Sequence, residues 1–274
     1  MSAATVPQIT STKDGKTKLK YTKEKLAKLY GVDLFAAVSS AGMVAPFIAI
    51  VDRSIIENLN GKRKLMDGLK YGLRSFASQP FTFTTSRQFR IVLGLYSSTY
   101  LTANVVDTTC EQYNVDPTSS SLYKFIATSA VNIVLCVAKD KVFTRMFGQG
   151  AARPFPKLSY LLFAARDSLT IAASFTAPSY IAGWLQRQQW TSTEKSANVV
   201  SQLVCPSAVQ FISTPFHLYA LDMYNRPSIA LAARAQLVRS EYLKSSLARI
   251  ARIGPAFGIG GVGNQFFRSF RDQV

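Results

Sequence analysis

Six stretches without a single charged side chain recur along this chain, at 34–51, 91–106, 125–138, 168–186, 196–221 and 253–267. The loops between them alternate in charge. Segments 52–90, 139–167 and 222–252 carry 8, 6 and 6 Lys/Arg, whereas 107–124 and 187–195 carry 1 and 2. A helix that crosses a bilayer needs about 20 mostly apolar residues. Basic residues gather on one side of a membrane. The alternation therefore predicts an all-α, multi-pass membrane protein with six transmembrane helices and one positive side. A soluble helical protein has no reason to segregate its loop charge in this way.

The apolar runs are rich in Ser, Thr, Ala and Gly rather than Leu. Small residues let helices approach closely in lipid, where packing drives association. The stretch 254–263 (GPAFGIGGVG) is nearly all small. In a soluble helix each glycine would cost up to about 1 kcal/mol. We therefore read Gly254, Gly258, Gly260, Gly261 and Gly263 as helix-packing residues. The run lacks the preceding strand and the following lysine of a phosphate-binding loop.

The net charge of +17 asks for an anionic partner, and hydrophobic residues make up 48% of the chain against 17% charged. That balance favours an anionic phospholipid membrane. Nucleic acid is excluded as a partner, since basic stripes interleaved with exposed aromatics are missing. Cys110, Cys136 and Cys205 lie at wide spacings with no Cys/His cluster, so neither a metal site nor a disulfide framework is expected. One histidine without a nearby Cys/Asp/Glu group makes no catalytic constellation, and we expect no enzyme, no cofactor and no metal. Residues 1–30 are polar and lysine-rich, without the apolar core of a secretory signal. Within them, 16–31 reads either as a short basic helix on a membrane surface or as a solvated tail.

Three boundary acids, Asp52, Asp140 and Asp222, close the odd-numbered runs at intervals of 88 and 82 residues. Arg90, Arg166 and Arg252 precede the even-numbered runs at intervals of 76 and 86. A two-span unit of about 85 residues repeated three times accounts for both series. The boundaries are 31–113, 114–190 and 191–274.

On these residues, and on the phrases "AKDKVFTRMFG", "TPFHLYALDMYNRP" and "ARIGPAFGIGGVGN", the chain resembles a divergent member of the mitochondrial carrier superfamily, similar to carrier-like mitochondrial membrane proteins of fungi. The resemblance implies three tandem two-helix repeats in the mitochondrial inner membrane, with both termini toward the intermembrane space. An outer-membrane location is a weaker possibility. It also implies matrix-side charge pairs among Asp52, Arg53, Lys139, Asp140, Lys141, Asp222 and Arg226, which open and close during transport. The carrier signature Pro-x-Asp/Glu-x-x-Lys/Arg is broken in all three repeats. Ile48 stands two residues after Pro46, repeat two has no proline, and His217 stands where an acid belongs after Pro215. With that spacing lost, the acids are expected to be ordinary boundary charge among headgroups. The implied function is then an accessory or scaffold protein that binds cardiolipin and a membrane partner such as a respiratory-chain complex. The alternative is a solute carrier for an anionic metabolite.

Arg90, Arg166 and Arg252 are expected as cavity or headgroup cations. A cation at a helix N-terminus opposes the helix dipole and needs a compensating partner. His217 is an intramembrane polar group, expected either to donate to a carbonyl or serine of a neighbouring helix or to serve substrate or proton movement. Arg234, Arg239, Lys244 and Arg249 accompany a helical apolar pattern over 231–252, expected as a basic interfacial helix. Trp184 and Trp190 suit an aromatic belt. Pro215 is expected to kink its helix, and Arg226-Pro227 to end it.

Overall fold

The computed structural model describes residues 19–148 and 154–274, and among them every regular element is helical. Helix α1 runs Lys23–Leu59, α2 Leu65–Ser78, α3 Pro80–Thr84, α4 Arg87–Gln112 and α5 Pro117–Phe147. Helix α6 (Lys157–Ile171) passes through a π-helical segment, Ala172–Thr176, into α7 (Ala177–Arg187). Helix α8 spans Glu194–Asn225 and α9 Leu231–Ala251. A second π-helical segment, Gly254–Gly261, leads into α10 (Val262–Arg268).

Local chemistry sets the ends. The side chains of Thr22, Ser86, Asp116 and Thr193 accept backbone N–H bonds that α1, α4, α5 and α8 leave open, and Pro117 occupies the first turn of α5. Gly61, at φ +67°, turns the chain out of α1 in a conformation that glycine adopts at least cost. Helix α8 ends at Asn225 with Arg226 as its C-cap, as the Arg226-Pro227 pair predicts.

The long helices close a ring. Helix α4 lies between α1 and α5, α6 beside α5, and α6 and α7 against α8; α9 lies against α8, and α10 with the second π segment returns to α1. Helix α1 is lined with small side chains at its contacts: Ala36, Ala37, Ser40, Ala41 and Ala45 are all fully buried. This lets the last helix come close. A Cβ on Gly260 would stand 2.1 Å from the Tyr100 hydroxyl and 2.7 Å from Val44, and one on Gly263 would meet Met43 at 2.4 Å. Gly254 and Gly261 have open space instead, and the surroundings of Gly258 lie outside the described residues. The packing role expected of five glycines thus falls on Gly260 and Gly263, because the π winding turns Gly254 and Gly261 away.

Among the described residues three helices are long and apolar enough to cross a membrane: Lys23–Leu59, Pro117–Phe147 and Ser196–Asn225, which carry the odd-numbered runs. Helix α5 buries Ser119 at one end and Lys139, Asp140, Phe143, Thr144 and Phe147 at the other, but not its apolar middle. Leu122, Ile126 and Val134 are more than half exposed. An apolar face of that extent needs an apolar surrounding, which a bilayer supplies. The even-numbered runs fall short by composition or continuity: α4 carries Ser97, Ser98, Thr99, Thr102 and Asn104, and the other two are π-helical in part.

Two expected surface helices are corrected. Residues from Lys23 onward are the first turns of α1 rather than a separate basic helix, and 16–18 lie outside the described residues. Along α9, Arg239 is exposed and Lys244 pairs with Glu241 at 2.7 Å, but Arg234 and Arg249 point inward and are buried. Buried hydrogen-bonding partners on α8 draw them in. Trp184 and Trp190 are exposed and stack edge-to-face at 4.9 Å.

Candidate functional site: a buried charge cluster at one end of the ring

Asp52 lies near the C-terminal end of α1, and Lys139 and Asp140 hold the same place on α5. Both segments follow long apolar stretches, so their charges enter the ring where the helices converge. Lys139 bridges them: its Nζ meets Asp52 and stands 2.7 Å from Asp140. Arg166 of α6 reaches the other Asp140 oxygen at 2.5 Å and grips both oxygens of Asp167 at 2.7 Å. Its remaining nitrogen donates to Nδ1 of His217 on α8 at 2.8 Å. Arg252, just past α9, closes on Asp52 at 2.6 Å. Helices from all three predicted repeats are therefore tied together by one chain of charges. Lys139, Asp140 and Arg166 are at most 5% exposed.

Several sequence expectations change here. Asp52, Asp140 and Asp222 are buried and paired, not boundary charge among headgroups. Arg166 and Arg252 enter the cluster, and only Arg90 remains exposed. His217 accepts from Arg166 rather than donating to a carbonyl or serine, because the guanidinium can only donate. Arg53 pairs with Glu57 at 2.8 Å, one helical turn on, and Lys141 stands over the Tyr160 ring at 5.4 Å. Asp222 keeps to its own repeat, with Arg226 at 2.6 Å and Arg234 at 3.0 Å. Arg234 also donates to the Arg226 carbonyl and so satisfies the end of α8.

A second polar cluster, which we did not anticipate from the sequence, lies toward the opposite ends of α1 and α4. Fully buried Asp33 accepts from Thr108 at 2.5 Å and from Arg268 at 2.9 Å. Arg268 also meets Asp107 at 2.8 Å, and Asp107 meets Lys124 at 3.0 Å. Asn104 and Asn264 exchange hydrogen bonds at 3.0 and 2.9 Å. Arg271 holds Glu111 at 2.7 Å. The Tyr21 hydroxyl also donates to Glu111 at 3.1 Å. One signal was available: acids at 107 and 111 and bases at 268 and 271 each share a helix face.

Among the described residues no group of His, Cys, Asp and Glu could hold a metal ion. What the arrangement offers is two clusters of charge, at opposite ends of a helical ring. Breaking a buried pair from one side costs about 3–5 kcal/mol, so the first cluster locks its end of the ring until something compensates that loss.

No curated protein and no solved structure matches the chain. One family model does, described as "Probable citrulline exporter", and it covers residues 36–271, from within α1 to just past α10. The chain belongs to this probable citrulline exporter family.

Proposed function

We propose that the protein exports citrulline, or a close neutral amino acid, by opening the two ends of its helical ring in turn. The observation that carries this reading is the buried chain Arg252–Asp52–Lys139–Asp140–Arg166, which joins helices far apart in sequence at one end. The accessory role rested on lost motif spacing, and the pairs form without that spacing. A zwitterionic substrate brings one carboxylate and one ammonium, so it can replace partners of both signs as a pair opens. Its ureido group calls for neutral donors and acceptors such as those on α8.

The twenty basic residues on alternate loops against three on the others support six crossings, with α4, α6–α7 and α9–α10 as the even-numbered spans. The carrier-like repeat supports a mitochondrial inner-membrane location. In this orientation the Asp52–Lys139 end faces the matrix, and the Asp33–Arg268 end faces the intermembrane space. Counterflow of labelled citrulline into vesicles carrying the purified protein tests the proposal. Uptake that rises with internal citrulline is expected. Uptake equal to that of empty vesicles, across neutral and anionic amino acids alike, would refute it.

A further inference from the structure

Arg249 on α9 is 1% exposed, and no carboxylate lies within ion-pair distance of it among the described residues. Among the described residues its hydrogen bonds run to neutral groups of α8: Nε to Gln210 Oε1 at 3.0 Å and Nη2 to Ser213 Oγ at 3.2 Å. The other buried cations among the described residues, Lys139, Arg166 and Arg234, each have an acid beside them. A buried guanidinium without a counter-charge is costly, and its planar fork matches a carboxylate. A second observation points to the same place. The hydroxyls of Ser245 and Ser246, one turn before Arg249, are buried and lack any hydrogen-bond partner. They share a helix face with it at spacings of four and three.

The adjoining cluster has no charge to spare for it: Lys139, Arg166 and Arg252 are three cations against three carboxylates, Asp52, Asp140 and Asp167, so the positive charge of Arg249 stays in excess. We propose that Arg249, with Gln210 and Ser213, is the seat for the carboxylate of the transported amino acid. This rests on the export reading above. Binding there puts the missing negative charge one helical turn from Arg252, whose hold on Asp52 it then competes with. The seat is thereby linked to the lock.

Vesicle counterflow with citrulline and with its decarboxylated analogue tests the assignment. Arg249→Gln is expected to raise the citrulline KM by about tenfold or more, the effect of losing a charge-assisted hydrogen bond, while the analogue is handled as by the wild type. Arg249→Lys recovers part of the loss. Gln210→Glu supplies a resident carboxylate to Arg249, so it should raise the melting temperature and lower citrulline affinity together, a readout that survives if Arg249→Gln fails to fold. A citrulline KM within about twofold of wild type in Arg249→Gln, or in Gln210→Glu, overturns the assignment and leaves the export reading standing. Thermal protection by chloride that citrulline does not compete away identifies a resident counter-ion and overturns it too. Wild-type vesicles inert to citrulline overturn both.

Discussion

The Tyr242 hydroxyl of α9 donates to the Phe211 carbonyl of α8 at 2.9 Å, and that carbonyl is the one Pro215 leaves without a helical donor. Helix α8 thus carries proline in its interior with the orphaned acceptor satisfied from a neighbour. Tyr242→Phe should cost about 1 kcal/mol by exposing that acceptor. In a Pro215→Ala background residue 215 regains its N–H, and the same change should cost close to nothing. Thermal unfolding of the four proteins in the cycle measures the coupling; additive effects would show that the hydroxyl serves some other group.

Lys139 sits between two carboxylates, Asp52 of α1 and Asp140 beside it on α5. Replacing it by Gln leaves Asp52 with Arg252 alone and Asp140 with Arg166 alone. We expect a loss of about 3 kcal/mol, the lower end for a broken buried pair. Adding Asp140→Asn removes the excess negative charge while Arg166 keeps Asp167, and should restore part of it. Melting temperatures in detergent decide this, and a double variant less stable than Lys139→Gln would count against the pairing.

The approach of the last helix to α1 predicts a ranking. Gly260→Ala puts a methyl group against Val44 as well as the Tyr100 hydroxyl, and should cost about 1–3 kcal/mol. Gly263→Ala clashes with the flexible end of Met43 and otherwise makes ordinary contact with Ser40, and should cost less. Gly254→Ala meets nothing within 4 Å and should be neutral or slightly stabilising. Equal effects at 254 and 260 would show that the close approach is wrong.

Asp116 caps α5 from the loop between α4 and α5. Bonds from Ser119, and then from Thr118, hold its carboxyl below the ordinary value of 3.8. A depressed folded-state value means the cap contributes fully above the unfolded value and is lost as the pH falls through the folded one. The stability difference between wild type and Asp116→Ala should be constant from pH 7 to about pH 5 and shrink below pH 3.8. A difference that persists at pH 3 would show that the carboxylate charge is not involved.

The long helices were legible because apolar runs and loop charge report them directly, and Asp52, Asp140, Arg166 and Arg252 stood out through their spacing. Their pairing was not legible. A broken signature said nothing about whether Lys139 could reach Asp52 from another helix, since side-chain reach across a ring does not depend on motif spacing. Arg249 looked like one more basic residue on an interfacial face, because periodicity shows that a residue shares a face but not what that face meets. The π-helical segments had no signal either: glycine and alanine runs fit any winding. Asp33 carries no sequence signal beyond a lone acid at the edge of the first run, although burial makes it the centre of the second cluster.

The central claim is that substrate opens the charge-locked end of the ring. Spin labels at exposed Lys62 and Ser228, which follow α1 and α8 at that end, would report it by pulsed dipolar distance measurement in vesicles. We predict a single short distance without substrate, and a second, longer population when citrulline is added, which Lys139→Gln shows without it. A distribution that citrulline leaves unchanged, in protein that still transports, would contradict the account.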